Sequence, residues 1–117
     1  MSLTLSLISH SNYSEITLEG SALTEPDFDE LNAVVEAEIE KNQSNLILNL
    51  KEVKVLNSLG INTLIKIFTK CRNNGGDMYI VNISEKINQV LLLTKLNTVL
   101  NIASSLNEAI NQFATQK

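Results

Sequence analysis

The sequence is poor in the residues from which catalytic and metal sites are built. Its 117 residues include one cysteine, one histidine, one proline and no tryptophan. A lone Cys71 excludes an internal disulfide framework, and it cannot form a structural zinc site with only one histidine beside it. A single arginine and a net charge of −4 argue against a nucleic-acid partner, which requires a basic surface. We therefore expect no metal, no other cofactor and no enzyme.

Long apolar segments are missing as well. Uninterrupted apolar stretches are only a few residues long, as at residues 91–93, so the sequence predicts no insertion into a membrane. The start of the chain lacks the basic region and apolar stretch of a secretory signal. Together these absences predict a cytoplasmic protein with one domain over residues 1–117, a length that suits a single core.

The charges that are present are distributed unevenly. Residues 1–50 carry nine acidic side chains and one basic side chain, whereas residues 51–117 carry four acidic and eight basic ones. Most acids of the first half lie between Glu25 and Glu40. A solvated helix face accounts for this pattern; an acidic surface that steers a basic partner is the alternative.

The first half of the chain predicts a hairpin followed by a helix. Apolar residues alternate with polar ones at Leu3, Leu5 and Leu7, and again at Ile16 and Leu18, which is typical of half-buried strands. A turn at Asn12 makes these strands an antiparallel hairpin. A helix start follows at Thr24, Pro26 and Asp27. The apolar side of this helix contains Phe28, Leu31, Val35 and Ile39, and its glutamates, Glu30, Glu36, Glu38 and Glu40, are expected to face water.

The second half alternates strand and helix patterns. Residues 46–50 predict a strand buried on both faces, and an amphipathic helix runs from Ser58 to a stop at residues 73–76. Further strands are predicted at residues 78–83 and 99–103. Two more helices start at Ser84 and at the capping box of Ser105 and Glu108. The order predicts an α/β fold: a mixed β-sheet, with an N-terminal hairpin and then mostly parallel strands, packed with about four helices.

One motif places a serine hydroxyl at the predicted start of a helix. Asn57-Ser58-Leu59-Gly60 lies where the predicted buried strand leads into the next helix. Asn57 or Ser58 caps this helix in the simplest interpretation. The functional interpretation is a modifiable hydroxyl, because a helix N-terminus tolerates the negative charge of a phosphate.

With this motif the chain resembles the STAS domain family, specifically the bacterial anti-sigma factor antagonists. The family pattern is Asp-Ser-(Ser or Thr)-Gly at the helix start, followed by a Gly-Gly turn, a strand and a terminal Ser-Leu-x-x-Ala. The matching stretches here are residues 49–53, 57–61, 74–81, 92–97 and 104–109. The resemblance extends from Leu5 to Phe113.

The resemblance implies a partner switch. An anti-sigma factor that is also an ATP-dependent serine kinase would phosphorylate Ser58, and a metal-dependent serine phosphatase would remove the phosphate. The unmodified protein would bind the kinase through Asn57, Ser58, Leu59 and Gly60. Self-association as a homodimer is an open alternative to a monomer.

Two departures from the family pattern favour a second hypothesis. Asn57 replaces the acid before the serine, and Leu59 replaces the hydroxyl residue after it. The stretch 20–24 also lacks the usual acids after its glycine. The alternative is therefore a degenerate STAS module that is not phosphorylated and acts as a scaffold or as a subunit of a transport or signalling complex.

The sequence offers little to an enzyme. His10 has no motif around it and is expected at the surface. Cys71 falls on the apolar stripe of its helix, which is typical of a small buried hydrophobe. The pair Gly75-Gly76 lacks the lysine and the spacing of a phosphate-binding loop.

Overall fold

The computed structural model describes residues 4–20, 25–54 and 56–114. Five strands and four helices lie in these residues. The strands are β1 (Thr4–Ser9), β2 (Ser14–Glu19), β3 (Asn45–Glu52), β4 (Asp77–Val81) and β5 (Asn101–Ile102). The helices are α1 (Glu25–Glu40), α2 (Ser58–Asn73), α3 (Glu85–Leu93) and α4 (Leu106–Ala114), and a short 3-10 turn precedes β5. The predicted cap Thr24 lies outside the described residues.

The strands form one sheet in the order β1-β2-β3-β4-β5. β1 and β2 are antiparallel, whereas the other neighbouring pairs are parallel. The mixed α/β sheet with an opening hairpin is therefore confirmed. Its register aligns one apolar row across the whole sheet, composed of Leu7, Ile16, Leu48, Ile80 and Ile102.

The two faces of the sheet bury separate cores. On one face four residues of the row, Ile16, Leu48, Ile80 and Ile102, pack with apolar side chains of α1, α2 and α3. On the other face Phe113 of α4 packs on Ile47 and Val81, and its ring lies 5.3 Å from that of Tyr79 in an edge-on arrangement. β3 is buried on both faces because side chains of a strand alternate between its faces. The prediction of a doubly covered β3 is confirmed.

The helix ends follow the local signals. Gly75 after α2 adopts a φ of +84°, which favours glycine, and a Cβ on Gly76 would collide with the Ser44 backbone. At α4 the Ser105 hydroxyl accepts a hydrogen bond from the Glu108 amide, and the Glu108 carboxylate accepts one from Ser104. The predicted helix stop and capping box are confirmed.

The strand bounds differ from those predicted. β4 ends at Val81 rather than at Ile83, because Asn82 turns the chain with a φ of +60°. β5 is shorter than the predicted residues 99–103, since the amides of Val99 and Leu100 donate to the Leu96 carbonyl of the preceding 3-10 turn. β1 is less buried than the alternation suggested: Leu5 is half-buried and Leu7 is exposed, because β1 is the outermost strand.

The exposure predicted for Glu38 is wrong. This side chain is only 1% exposed. Its carboxylate accepts hydrogen bonds from the hydroxyl of buried Ser14, at 2.5 Å, from the hydroxyl of Ser9, at 3.3 Å, and from the ammonium group of Lys41, also at 3.3 Å. The carboxylate thus joins the end of α1 to both strands of the hairpin.

The hydrogen bonds outweigh burial in setting the ionisation of Glu38. Burial raises the pKa of the carboxyl group, but the bonds from Ser14, Lys41 and Ser9 and the charge of Lys41 lower it more. The net pKa is below the ordinary value of 4.5, so Glu38 is ionised in the folded protein at neutral pH.

No helix among the described residues has both the length and the apolar character needed to cross a membrane.

Removing the Glu38 carboxylate is expected to destabilise the fold. Glu38→Ala leaves the buried Ser14 hydroxyl without its acceptor, which costs about 1–3 kcal/mol of unfolding free energy. Glu40→Ala is the matched control, since Glu40 is exposed on the same helix, and should change stability by less than about 0.5 kcal/mol. Urea denaturation followed by circular dichroism measures both. Equal losses in the two variants would contradict the role of Glu38.

The stabilisation by Glu38 should depend on pH. A carboxyl group whose pKa is lowered by folding stabilises the protein above its unfolded pKa and loses this effect as the pH falls through its folded pKa. The stability difference between the wild type and Glu38→Gln should therefore be constant above pH 4.5 and shrink below it. Urea midpoints measured across this range test the sign; a difference that grows on acidification would contradict it.

Candidate functional site

The segment between β3 and α2 is held from both sides. At the end of β3 the amide of buried Val53 donates to the Leu50 carbonyl, at 3.0 Å. One residue after Val53, the carbonyl of Lys54 accepts a hydrogen bond of 2.6 Å from the hydroxyl of Ser84. Ser84 is the N-cap of α3, so the approach to α2 is attached to the neighbouring helix.

Asn57 is the cap of α2. Its backbone is extended, with φ −89° and ψ −177°, and its side-chain oxygen accepts a 2.9 Å hydrogen bond from the Gly60 amide. Its carbonyl accepts the first helical bond, from Ile61. Of the two capping candidates, Asn57 therefore fills the position, and the Ser58 hydroxyl is not needed for it.

Ser58 is the first residue of α2 and is exposed. The unpaired amides and the positive end of the helix dipole are at this end of the helix. No acidic side chain occupies the first turn of α2. The hydroxyl therefore lies in a place that accommodates an added anion.

Leu59 and Gly60 have opposite surroundings. Leu59 is 38% exposed, whereas Gly60 is buried. A Cβ on Gly60 would lie 2.9 Å from Cζ of Phe28 and 3.0 Å from Cδ2 of Leu56. The absence of a side chain at Gly60 lets α2 pack closely against α1. Gly60 therefore lies beneath the site, whereas Asn57, Ser58 and Leu59 form its exposed surface.

An apolar groove of about 290 Å³ lies beside this surface, between α2 and α3. Its walls are Leu56, Ile61, Lys86, Ile87, Gln89, Val90 and Leu93. Leu93 is 84% exposed, which is unusual for a large apolar side chain at the end of a helix. Sequence reasoning did not include α3 in the site. The consecutive leucines 91–93 were the available signal, because a single helix stripe cannot bury all three.

The two other potentially reactive side chains, His10 and Cys71, lie outside this surface. His10 is exposed at the hairpin turn, where its ring stacks on Tyr13 at 4.5 Å. Cys71 is buried in the core, where burial and, to a smaller extent, the charge of Asp77 raise the pKa of its thiol to about 12. Such a thiol is not a nucleophile at neutral pH. Among the described residues, no group of histidine, cysteine and acidic side chains is arranged to hold a metal ion.

Comparisons with known proteins agree with the sequence and the fold. The family model described as the STAS domain matches residues 14–109. A curated Thermotoga maritima protein named "Putative anti-sigma factor antagonist" is 26% identical over 74 residues, which are 63% of this chain and 66% of that protein.

Solved structures share the fold at low identity. An anti-sigma factor antagonist from Mycobacterium paratuberculosis superposes with a TM-score of 0.82 at 19% identity, over 97% of this chain and 95% of that one. The phosphorylated form of the Bacillus cell fate determinant SpoIIAA superposes with a TM-score of 0.71 at 18% identity, over 93% and 98% of the two chains. These likenesses establish the architecture.

The capping role of Asn57 can be tested by substitution. Asn57→Ala removes the acceptor for the Gly60 amide and should lower the unfolding free energy by about 1 kcal/mol. Asn57→Asp keeps an acceptor and adds a charge that the helix dipole favours, so its stability should equal or exceed that of the wild type. Urea denaturation at low salt measures both variants. A loss in Asn57→Asp as large as that in Asn57→Ala would contradict capping by the side chain.

Proposed function

Because the chain belongs to the STAS domain family, we propose that it acts in the cytoplasm as an anti-sigma factor antagonist controlled by phosphorylation of Ser58. The unmodified protein binds an anti-sigma factor that is also a serine kinase, and so releases a sigma factor. Phosphorylated protein does not bind, and a serine phosphatase restores the binding form. The protein is a binding module and not an enzyme.

The observation that carries this proposal is the exposed Ser58 hydroxyl at the first position of α2. Its backbone is set by the Asn57 cap and by the hydrogen bond from Ser84 to the Lys54 carbonyl. A kinase can therefore reach the hydroxyl without unfolding α2. A phosphate at a helix N-terminus is also stabilised there, so modification leaves the fold intact.

The apolar groove supplies the binding surface next to the hydroxyl. Leu59 and Leu93 expose apolar side chains, and Val90 and Ile61 line the groove between α2 and α3. Covering apolar surface stabilises a complex. A phosphate on Ser58 carries a charge of about −1.5 to −2 at neutral pH. Burying that charge in an apolar interface has a large desolvation cost. The switch thus acts through solvation and charge rather than through a change of fold.

The chemical steps are a transfer and a hydrolysis. Ser58 Oγ attacks the γ-phosphorus of ATP bound to the kinase, ADP leaves, and the hydroxyl proton is released. The phosphatase uses water to return the serine hydroxyl and inorganic phosphate. Every catalytic group belongs to these partners, which agrees with the inert surroundings of Cys71.

A module without phosphorylation is the second candidate, and Asn57 and Leu59 favour it. Asn57 caps α2 with an amide where the family has an acid, and Leu59 adds an apolar side chain beside the serine. Such a module would use the same surface as a scaffold or as a subunit of a transport or signalling complex. A charge at Ser58 distinguishes the two candidates.

Phosphorylation should be confined to Ser58. We expect incubation with ATP and an anti-sigma factor/serine kinase encoded in the same genome to add one phosphate, located by tandem mass spectrometry. Ser58→Ala should accept none, and Ser105→Ala, which alters an exposed serine before another helix, should react like the wild type. Phosphate incorporation into Ser58→Ala at the wild-type rate would overturn this assignment.

A fixed charge at Ser58 should weaken partner binding. We expect Ser58→Asp to raise the Kd for the same anti-sigma factor at least about tenfold, because like-charge repulsion and desolvation at an interface cost more than 1.4 kcal/mol. Ser105→Asp is the matched control: it also places an acid at a helix start, but at α4, which packs on the opposite face of the sheet from α2. Calorimetric titration measures both, and an unchanged Kd for Ser58→Asp would favour the module without phosphorylation.

A further inference from the structure

The outer edge of the sheet is a strand that lacks the usual protection. β1 pairs with β2 along its whole length, and none of the described strands pairs with its other edge. Open edges expose amides and carbonyls that pair with another strand, and proteins normally block them with charges, proline or a bulge. The β1 sequence, Thr-Leu-Ser-Leu-Ile-Ser, has neither charge nor proline.

The hairpin decides which backbone groups of β1 point outward. It closes with the His10 amide donating to the Tyr13 carbonyl, at 2.8 Å. In an antiparallel pair every second residue bonds to the neighbouring strand, and the residues between direct their amides and carbonyls to the opposite edge. Counted back from His10, the outward-directed residues are Leu5, Leu7 and Ser9.

The side chains of β1 also leave apolar surface uncovered. Leu7 is 38% exposed and Ile8 is 54% exposed. The two residues are adjacent in a strand, so they lie on opposite faces of the sheet. A further strand beside β1 would cover both, whereas a helix on one face would cover only one.

The lack of charge along β1 permits a second copy of this chain as that neighbour. Each copy has a net charge of −4, so two copies repel on average, and a contact between them has to avoid like charges. The first fourteen residues carry no charged side chain at neutral pH, and the first acid is Glu15 in β2. Pairing β1 with β1 of a second copy therefore places no charged side chains of the two strands opposite each other.

We propose that β1 is a homodimer interface in which two copies pair antiparallel and form one continuous sheet. A two-fold arrangement requires the same strand on both sides, and β1 supplies it. The register that places Leu7 opposite Leu7 of the second copy also pairs Leu5 with Ser9 of the second copy. All outward-directed residues are then hydrogen-bonded, and Ile8 packs beside Ser6 of the second copy.

The dimer is compatible with the proposed function but does not depend on it. β1 is separated from β3, and hence from the segment that leads to Ser58, by β2. Both Ser58 surfaces remain open, so one dimer presents two binding surfaces. Ser58→Asp should accordingly leave the association of the copies unchanged.

Sedimentation equilibrium of the purified chain tests the interface. The average mass of the wild type should rise with concentration from 12.9 kDa towards twice that value, and added salt should strengthen association by screening the repulsion between copies. Ile8→Lys should weaken association at least about tenfold by placing charges in the strand contact. Val99→Lys is the matched control, because Val99 is 49% exposed and lies outside β1, and it should associate like the wild type.

Hydrogen exchange identifies the contact independently of any variant. At a concentration where the dimer forms, the amides of Leu5, Leu7 and Ser9 should exchange more slowly than in dilute protein. The amides of Ser6 and Ile8, which already bond to β2, should change little. A wild type that stays at 12.9 kDa at millimolar concentration would overturn the proposal. Association without this alternating protection, or equal association of Ile8→Lys and Val99→Lys, would overturn it as well.

Discussion

The burial of β3 on both faces is the constraint on which the rest of this structure depends. Leu46, Leu48 and Leu50 belong to the core under α1, α2 and α3, whereas Ile47 belongs to the core under α4. A strand of this kind needs helices on both faces of its sheet and is typically flanked by parallel strands joined through crossover helices. Parallel strands end at the same edge, so the junctions that lead into α2 and α3 lie side by side. The position of Ser58 is a consequence of this arrangement.

The site combines a rigid backbone with an exposed hydroxyl. The Asn57 cap sets the start of α2, the Ser84 hydroxyl holds the Lys54 carbonyl, and Gly60 allows α2 to rest against Phe28. These contacts come from three different helices, so a group added to Ser58 Oγ changes the charge of the surface while the backbone beneath it stays in place. In the proposed function, the neighbouring groove between α2 and α3 is the binding surface on which that change acts. A charge that alters binding without refolding is the physical requirement of a reversible switch.

Local signals predicted the features that depend on one element at a time. The apolar run of β3, the cap before α2 and the capping box of α4 each require only neighbouring residues, and each was predicted correctly. For Glu38, in contrast, the local pattern predicted the wrong exposure. Helical periodicity assigned it to the polar side of α1, but Ser9 and Ser14 of the hairpin cover that position and hydrogen-bond its carboxylate. A pattern within α1 contains no information about the hairpin that packs on its last turn.

The sequence by itself determined the order of strands and helices, the mixed sheet, and a serine at the start of α2 in a chain with little other reactive chemistry. It also placed Asn57, Ser58 and Leu59 together, because they are consecutive at a helix start, where local geometry presents side chains to solvent. Only the tertiary structure decided that Gly60 is buried against Phe28, that α3 completes the groove, and that none of the described strands pairs with the outer edge of β1. The physical reason is that periodicity and capping depend on contacts within one element. Burial, grooves and open edges depend on which elements pack against each other.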